Sequence, residues 1–212
     1  MASELLFEIG TEEIPSDYLD NGLAEMKRLA ESSLRDNRIR VDEPLVTLGT
    51  PRRLVLIGRA LADRQADVTQ EVTGPPRKAA YDAKGNPTKA ALGFAQKQGV
   101  RVEDLQFIET PKGEYLFVRR MIPGRPTRDI LAEILPKLLA DLPWPKSMRW
   151  GNRGFPFVRP IHWIVALFGG SVIPFELAGI RSGNRTRGHR FMGSRDVAVA
   201  GVEDYLRKVE KG

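Results

Sequence analysis

Short apolar runs and helical repeats alternate irregularly along this chain, and that order narrows the fold classes open to it. Residues 5 to 9 form a compact apolar run closed by Gly10, and Pro15-Ser16-Asp17 then opens a helical pattern. Leu19, Leu23, Met26, Leu29, Ala30 and Leu34 recur at three- and four-residue spacing, so one face stays apolar through about Asn37. Residues 45 to 50 and 54 to 61 read as paired strands joined at the Thr50-Pro51-Arg52-Arg53 corner. Residues 68 to 72 suggest another strand, stopped by Gly74-Pro75-Pro76. A helix is expected from about Thr88 to Gln98, with Thr88 as N-cap and Gly99 as the stop. Residues 105 to 109 and 115 to 121 flank a turn and predict a hairpin.

Pro126-Thr127 starts a second strong helix with Ile130, Leu131, Ile134, Leu135, Leu138, Leu139 and Leu142 on its apolar face, and Pro136 predicts a kink or break within it. Residues 161 to 168 and 172 to 177 form a second hairpin-like pair around Gly169-Gly170, and residues 202 to 209 begin a final helix. A doubly wound sheet would need regular strand-helix alternation. The irregular mixture predicts an α+β fold with mixed, largely antiparallel sheets and packed helices, with a sub-lobe at 66–142 inside one region spanning 1–212.

Composition excludes several function classes. With 212 residues and 42% hydrophobic content the chain can bury a proper core. It has no cysteine, which rules out a disulfide scaffold, a thiolate catalyst and a thiolate zinc site, and its two histidines argue against a dedicated metal centre. The longest apolar run, residues 161 to 168, is too short to span a bilayer, and no secretory signal is read at the N-terminus. A cytoplasmic protein without membrane association is expected.

Charge is distributed unevenly. Between Leu142 and Arg195 the single acid Glu176 faces nine basic residues, Lys146, Arg149, Arg153, Arg159, Arg181, Arg185, Arg187, Arg190 and Arg195, a net +8 in a chain whose total is +6. All three tryptophans, Trp144, Trp150 and Trp163, fall in the same stretch. Guanidinium groups fork phosphate oxygens and aromatic faces accept bases, so the window suits RNA as well as it suits solvated arginines over an aromatic core. The candidate RNA contacts are Arg149, Arg153, Arg159, Arg181, Arg185, Arg187 and Arg190, with Arg52, Arg53, Lys78 and Lys89 as secondary candidates.

Six segments together carry a family resemblance. They are Glu8-Ile9-Gly10-Thr11-Glu12-Glu13-Ile14-Pro15; Thr50-Pro51-Arg52-Arg53-Leu54; Gly74-Pro75-Pro76 with Gly85-Asn86-Pro87-Thr88-Lys89-Ala90-Ala91 and Gly93-Phe94-Ala95; Lys112-Gly113-Glu114-Tyr115-Leu116; Pro145-Lys146-Ser147-Met148-Arg149-Trp150-Gly151 with Phe157-Val158-Arg159-Pro160-Ile161-His162-Trp163; and Gly188-His189-Arg190-Phe191. In this order they resemble the beta subunit of the bacterial tetrameric glycyl-tRNA synthetase, over the N-terminal third or so of a family member. The resemblance implies a glycine-tRNA ligase of two alpha and two beta chains, whose alpha subunit carries the class II core that activates glycine. ATP and magnesium are then used by the whole enzyme, with no cofactor, no metal and no catalytic residue in this region. The implied partners are the alpha subunit and tRNA(Gly). A more distant similarity runs to the beta chain of phenylalanyl-tRNA synthetase, which includes an editing-type domain. The alternatives are a stand-alone RNA-binding module and a tRNA-editing hydrolase-like domain.

Individual residues keep more than one reading. Glu8, Glu12 and Glu13 either form an acid-base or magnesium-binding cluster or favour a helix N-terminus capped by Thr11 or Ser16. Arg52 and Arg53 splay to opposite faces if a strand begins at once, one toward phosphate and the other toward Glu12 or Glu13. Arg77, Lys78, Lys84 and Lys89 surround a turn-rich loop ahead of a helix N-terminus, where a phosphate can bind. Trp150 and Phe157 are expected to pack under their loop, His162 to be a packed, hydrogen-bonded side chain, and His189 to have its charged form disfavoured by Arg187 and Arg190.

Overall fold

The computed structural model describes residues 2–149, 154–188 and 196–210. In chain order the elements are β1 (Ala2–Thr11), α1 (Ser16–Asp36), β2 (Val46–Thr50), β3 (Arg53–Ala62), β4 (Val68–Pro76), α2 (Arg77–Ala80), α3 (Lys89–Gln98), β5 (Gln106–Thr110), β6 (Gly113–Ile122) and α4 (Thr127–Asp141). The second half adds β7 (Met148–Arg149), β8 (Pro156–Phe157), β9 (Ile161–Phe168), β10 (Ser171–Val172), β11 (Glu176–Leu177), β12 (Ile180–Gly183), β13 (Arg185–Thr186), β14 (Val197–Ala198) and α5 (Val202–Glu210). This is the α+β mixture expected. Among the described residues no helix is long and apolar enough to cross a membrane.

The chain divides into two compact units, Met1–Ala66 with Arg125–Gly212, and Asp67–Gly124. The smaller unit therefore closes well before residue 142, the end expected for a sub-lobe. The reason is α4, whose Ile130, Leu131, Ile134, Leu135, Leu138 and Leu139 are buried in the core of the larger unit.

In the larger unit the main sheet runs β11-β12-β9-β1-β3-β2, with β10 also paired to β9. Every ladder in it is antiparallel except β12 on β9. β1 is central and its run from Leu5 to Thr11 is buried on both faces. One face, with Leu5, Phe7, Ile9, Leu54 and Leu56, packs against Met26, Ala30 and Leu34 of α1 and the apolar side of α4. The other, with Leu6, Val55, Ile57, Val165 and Leu167, packs under Val202 and Tyr205 of α5.

Local details depart from expectation, beginning with β4, which runs on through the Gly74-Pro75-Pro76 expected to stop it. α4 runs unbroken through Pro136, which deprives only the Ala132 carbonyl of its helical partner while six buried side chains hold the helix to the core. Residues 172 to 177 split into β10 and β11 around Pro174, whose missing N–H interrupts a ladder. The N-cap of α1 is Pro15, with no capping side chain, so neither Thr11 nor Ser16 plays that part. In the smaller unit, by contrast, Thr88 Oγ1 accepts the Ala90 N–H at 3.3 Å and Gly99 closes α3 at φ 68°, as expected. Its sheet, β4-β6-β5, is antiparallel and buries Ala80, Ala91, Ala95, Leu116 and Val118 under α2 and α3.

Candidate functional site

Three of the sequence segments singled out above meet at one end of the main sheet. The Thr11 N–H donates to the Arg52 carbonyl at 2.9 Å, Ile14 N–H to the Pro51 carbonyl at 2.6 Å, and Glu12 N–H to the Pro160 carbonyl at 3.0 Å. Gly10 pairs with Trp163 but Thr11 pairs with Ile161, so His162 is an extra residue in β9. Such a bulge re-aims the side chain it carries. His162 turns out of the sheet instead of packing into it, and its Nε2 lies 2.8 Å from Glu12 Oε1. Arg52 Nη2 lies 3.6 Å from the other oxygen of Glu12, leaving Nη1 buried with no hydrogen-bond partner. Arg159 reaches the same end and donates to the Glu13 carbonyl at 2.8 Å and the Val158 carbonyl at 3.3 Å.

On the α5 side of the sheet, Glu8 is fully buried and faces Arg53 at 3.4 Å. Thr186 donates its hydroxyl to Glu8 Oε1 at 2.9 Å, and Arg53 donates to the Arg187 carbonyl at 2.6 Å and the Tyr205 hydroxyl at 3.4 Å. Burial pushes the Glu8 carboxyl above its ordinary value. Arg53 is the strongest opposing influence, followed by Thr186, Trp163 and Tyr205. Even so, Glu8 Oε2 and Trp163 Nε1 make no close hydrogen bond. Tyr205 is held neutral far above its usual range, first by burial and then by the charge of Glu8.

The Trp163 ring lies over Gly10, where an added Cβ would come within 2.0 Å of it. On that ring rests Arg187, its guanidinium 4.9 Å from the centroid.

The candidate arginines therefore separate into distinct groups. Arg181 pairs with Glu176 at 3.1 Å and Arg185 with Asp196 at 2.6 Å, so both have a carboxylate beside them. Arg52 and Arg53 are likewise paired, the first with Glu12 as one sequence reading allowed and the second with Glu8. Arg159 and Arg187 are held instead by backbone carbonyls and an indole ring, with no carboxylate partner among the described residues. Arg149 is exposed at the end of β7, opposite Pro156 of β8. Lys78 and Lys89 lie on the surface of the smaller unit. Arg153, Arg190, Trp150 and His189 lie outside the described residues.

The aromatic loop is anchored as expected of its described members. Phe157 is fully buried, with Trp144 edge-on at 5.4 Å and Phe155 stacked at 6.2 Å. Sequence reasoning missed Tyr205 and Thr186 as partners of Glu8. The available signal was a lone carboxylate inside the apolar run Leu5-Leu6-Phe7-Glu8-Ile9, which has to find a charge or hydrogen-bond donors once the strand is buried.

A family model described as glycyl-tRNA synthetase beta subunit matches residues 5–212. Among similar proteins are the glycine–tRNA ligase beta subunits of Syntrophotalea carbinolica, 49% identical over 100% of this chain, and of Trichlorobacter lovleyi, 50% identical over 100% of it. That of Desulforamulus reducens is 47% identical over 99% of this chain. The chain spans about 30% of the length of these relatives. With the match covering almost every residue, and with the segments that build the strand-end site all inside it, the chain belongs to the glycyl-tRNA synthetase beta subunit family.

Proposed function

We propose that this chain is the N-terminal part of a beta subunit that works in a glycine-tRNA ligase of two alpha and two beta chains in the cytoplasm. Its role is to hold part of tRNA(Gly) and to help dock the alpha subunit, which performs ATP- and magnesium-dependent glycylation. The observation that carries the RNA part is the state of Arg159 and Arg187. Both are fixed in place by neutral groups, so their positive charge is oriented without being compensated by a neighbouring carboxylate. A preorganised, uncompensated guanidinium is suited to fork a phosphate. Arg181 and Arg185, by contrast, must break a carboxylate contact before they can do so.

The test is binding of a labelled tRNA(Gly) transcript to the 212-residue chain over a range of salt concentrations. Neutralising one phosphate contributes a slope of about 0.7 to 0.9 in log affinity against log salt. Arg159→Gln with Arg187→Gln should flatten the slope by roughly one to two such units. Arg181→Gln should change it less. Unchanged affinity and slope in the Arg159/Arg187 variant would remove the strand-end site as an RNA contact. Glycylation of tRNA by this chain without an alpha subunit would overturn the assignment of chemistry to the other chain.

A further inference from the structure

We propose that the smaller unit, Asp67–Gly124, carries a second RNA-binding surface at one end of its sheet, formed by Lys78, Lys84, Lys89 and Lys112 around the exposed ring of Phe107. Several contacts gather these residues at that end. β4 finishes at Pro76, paired with Tyr115 at the start of β6, and the β5–β6 turn carrying Lys112 lies between Thr110 and Gly113. Arg77 of α2 bonds Glu114 at 2.8 Å, fastening the helix that bears Lys78 to the first residues of β6. The bridge between Tyr81 and Pro87 closes the loop bearing Lys84. Thr88 then donates its backbone N–H to the Ala80 carbonyl at 2.9 Å and its hydroxyl to the Ala79 carbonyl at 2.6 Å, so Lys89 begins α3 beside α2.

Cations outnumber carboxylates at this end, where Arg77, Lys78, Lys84, Lys89 and Lys112 stand against Asp82, Glu109 and Glu114. Asp82 accepts the backbone N–H groups of Lys84 and Asn86, each at 2.8 Å, and the Asn86 side chain at 3.2 Å. Those hydrogen bonds hold its carboxyl below the usual range, so it stays ionised but is committed to the loop backbone instead of to a lysine. Glu114 is engaged by Arg77, and Glu109 lies across the hairpin from Glu114. All four lysines are exposed, and none has an ion-pair partner among the described residues. The first turn of α3 contains no acid, so the positive end of the helix adds to the same field.

Phe107 makes the surface suit RNA better than an acidic protein segment. It is 43% exposed, with Tyr81 5.8 Å away and the Arg77 guanidinium 4.8 Å from its centroid. With Arg77 over one face, the exposed remainder of the ring offers contact to an unpaired base, and the lysines around it offer point charges to the phosphates beside it. The proposal shares with the preceding reading only the premise that this family handles RNA. It uses a different unit and different residues.

The experiment compares the 212-residue chain with three variants: Lys78→Ala/Lys84→Ala/Lys89→Ala/Lys112→Ala, Phe107→Ala, and Arg159→Gln/Arg187→Gln. Each is titrated with the same tRNA(Gly) transcript from low to high salt, and circular dichroism checks folding. The lysine variant should lose tenfold or more in affinity at low salt and flatten the salt slope by about 2 to 3. Phe107→Ala should weaken binding about fivefold or more with little change in slope, because stacking releases no counterions. If the lysine variant matches the parent in both affinity and slope while the arginine variant does not, this surface is overturned and the strand-end reading stands. The opposite pattern retains this surface and removes the strand-end site. A slope change with Phe107→Ala neutral would overturn the stacking element of the surface.

Discussion

Arg53→Gln is the perturbation with the most informative expected outcome. The Arg53 side chain is 12% exposed, its guanidinium faces a Glu8 side chain with no exposure at 3.4 Å, and it also donates to the Arg187 carbonyl at 2.6 Å. Glutamine is too short to span these partners and carries no charge. Removing one member of a buried pair strands the other, which costs about 3 to 5 kcal/mol. That loss should appear at pH 7. Burial already raises the Glu8 carboxyl above its ordinary value, and Arg53 is the main influence holding it down, so the variant moves it further up. Between the unfolded value near 4.5 and the raised folded value, the native state binds more protons than the unfolded chain. Stability there falls as pH rises and recovers as pH falls, and the window is wider in the variant than in the parent.

The deficit of Arg53→Gln should therefore shrink as pH falls toward 4.5, by up to about 1.4 kcal/mol for each pH unit in which only the variant is protonated. Urea unfolding followed by tryptophan fluorescence over a series of pH values from neutral down to 4.5 measures this, because Trp144 and Trp163 both lie in the larger unit. Adding Glu8→Gln to the variant removes the stranded charge and should restore part of the loss. A deficit below about 1 kcal/mol at pH 7, a deficit constant down to pH 4.5, or no recovery in the double variant would refute the reasoning.

Gly10→Ala places a Cβ within 2.0 to 2.2 Å of three Trp163 ring atoms and should cost about 1 to 3 kcal/mol while displacing the ring that carries Arg187. An unchanged melting temperature and near-ultraviolet dichroism would contradict this. Thr88→Ala removes the acceptor of the Ala90 N–H and the donor to the Ala79 carbonyl, at a cost of about 1 kcal/mol. Hydrogen exchange should rise across α3 and stay unchanged in α1; a uniform response would show that the cap is not local.

Elements whose cause is local were legible in the sequence. The repeat of Leu19, Leu23, Met26, Ala30 and Leu34 gave α1 because a helix face is set by spacing alone, and its described bounds are Ser16–Asp36. Thr88 and Gly99 marked the ends of α3 because capping uses neighbours in the chain. Pro136 does not end α4, for the opposite reason. Its local cost is real, but side chains far away in sequence bury the helix around it. Residues 172 to 177 were legible only in part: Val172 of β10 pairs back with β9 around Gly169-Gly170 as expected, but β11 takes its partner from β12.

By itself the sequence determined the element types, the α+β class, the local excess of arginine and the segments that carry the family likeness. These follow from spacing, composition and order, which need no knowledge of distant contacts. Only the tertiary structure decided what each charge does. Glu8 and Arg53 are 45 positions apart and become one buried pair because β1 and β3 are neighbours in the sheet. Arg181 and Arg187 look alike in the chain, yet one meets a carboxylate and the other an indole ring. The charge of an arginine is fixed by its chemistry, but whether that charge is compensated depends on which side chains the fold brings beside it.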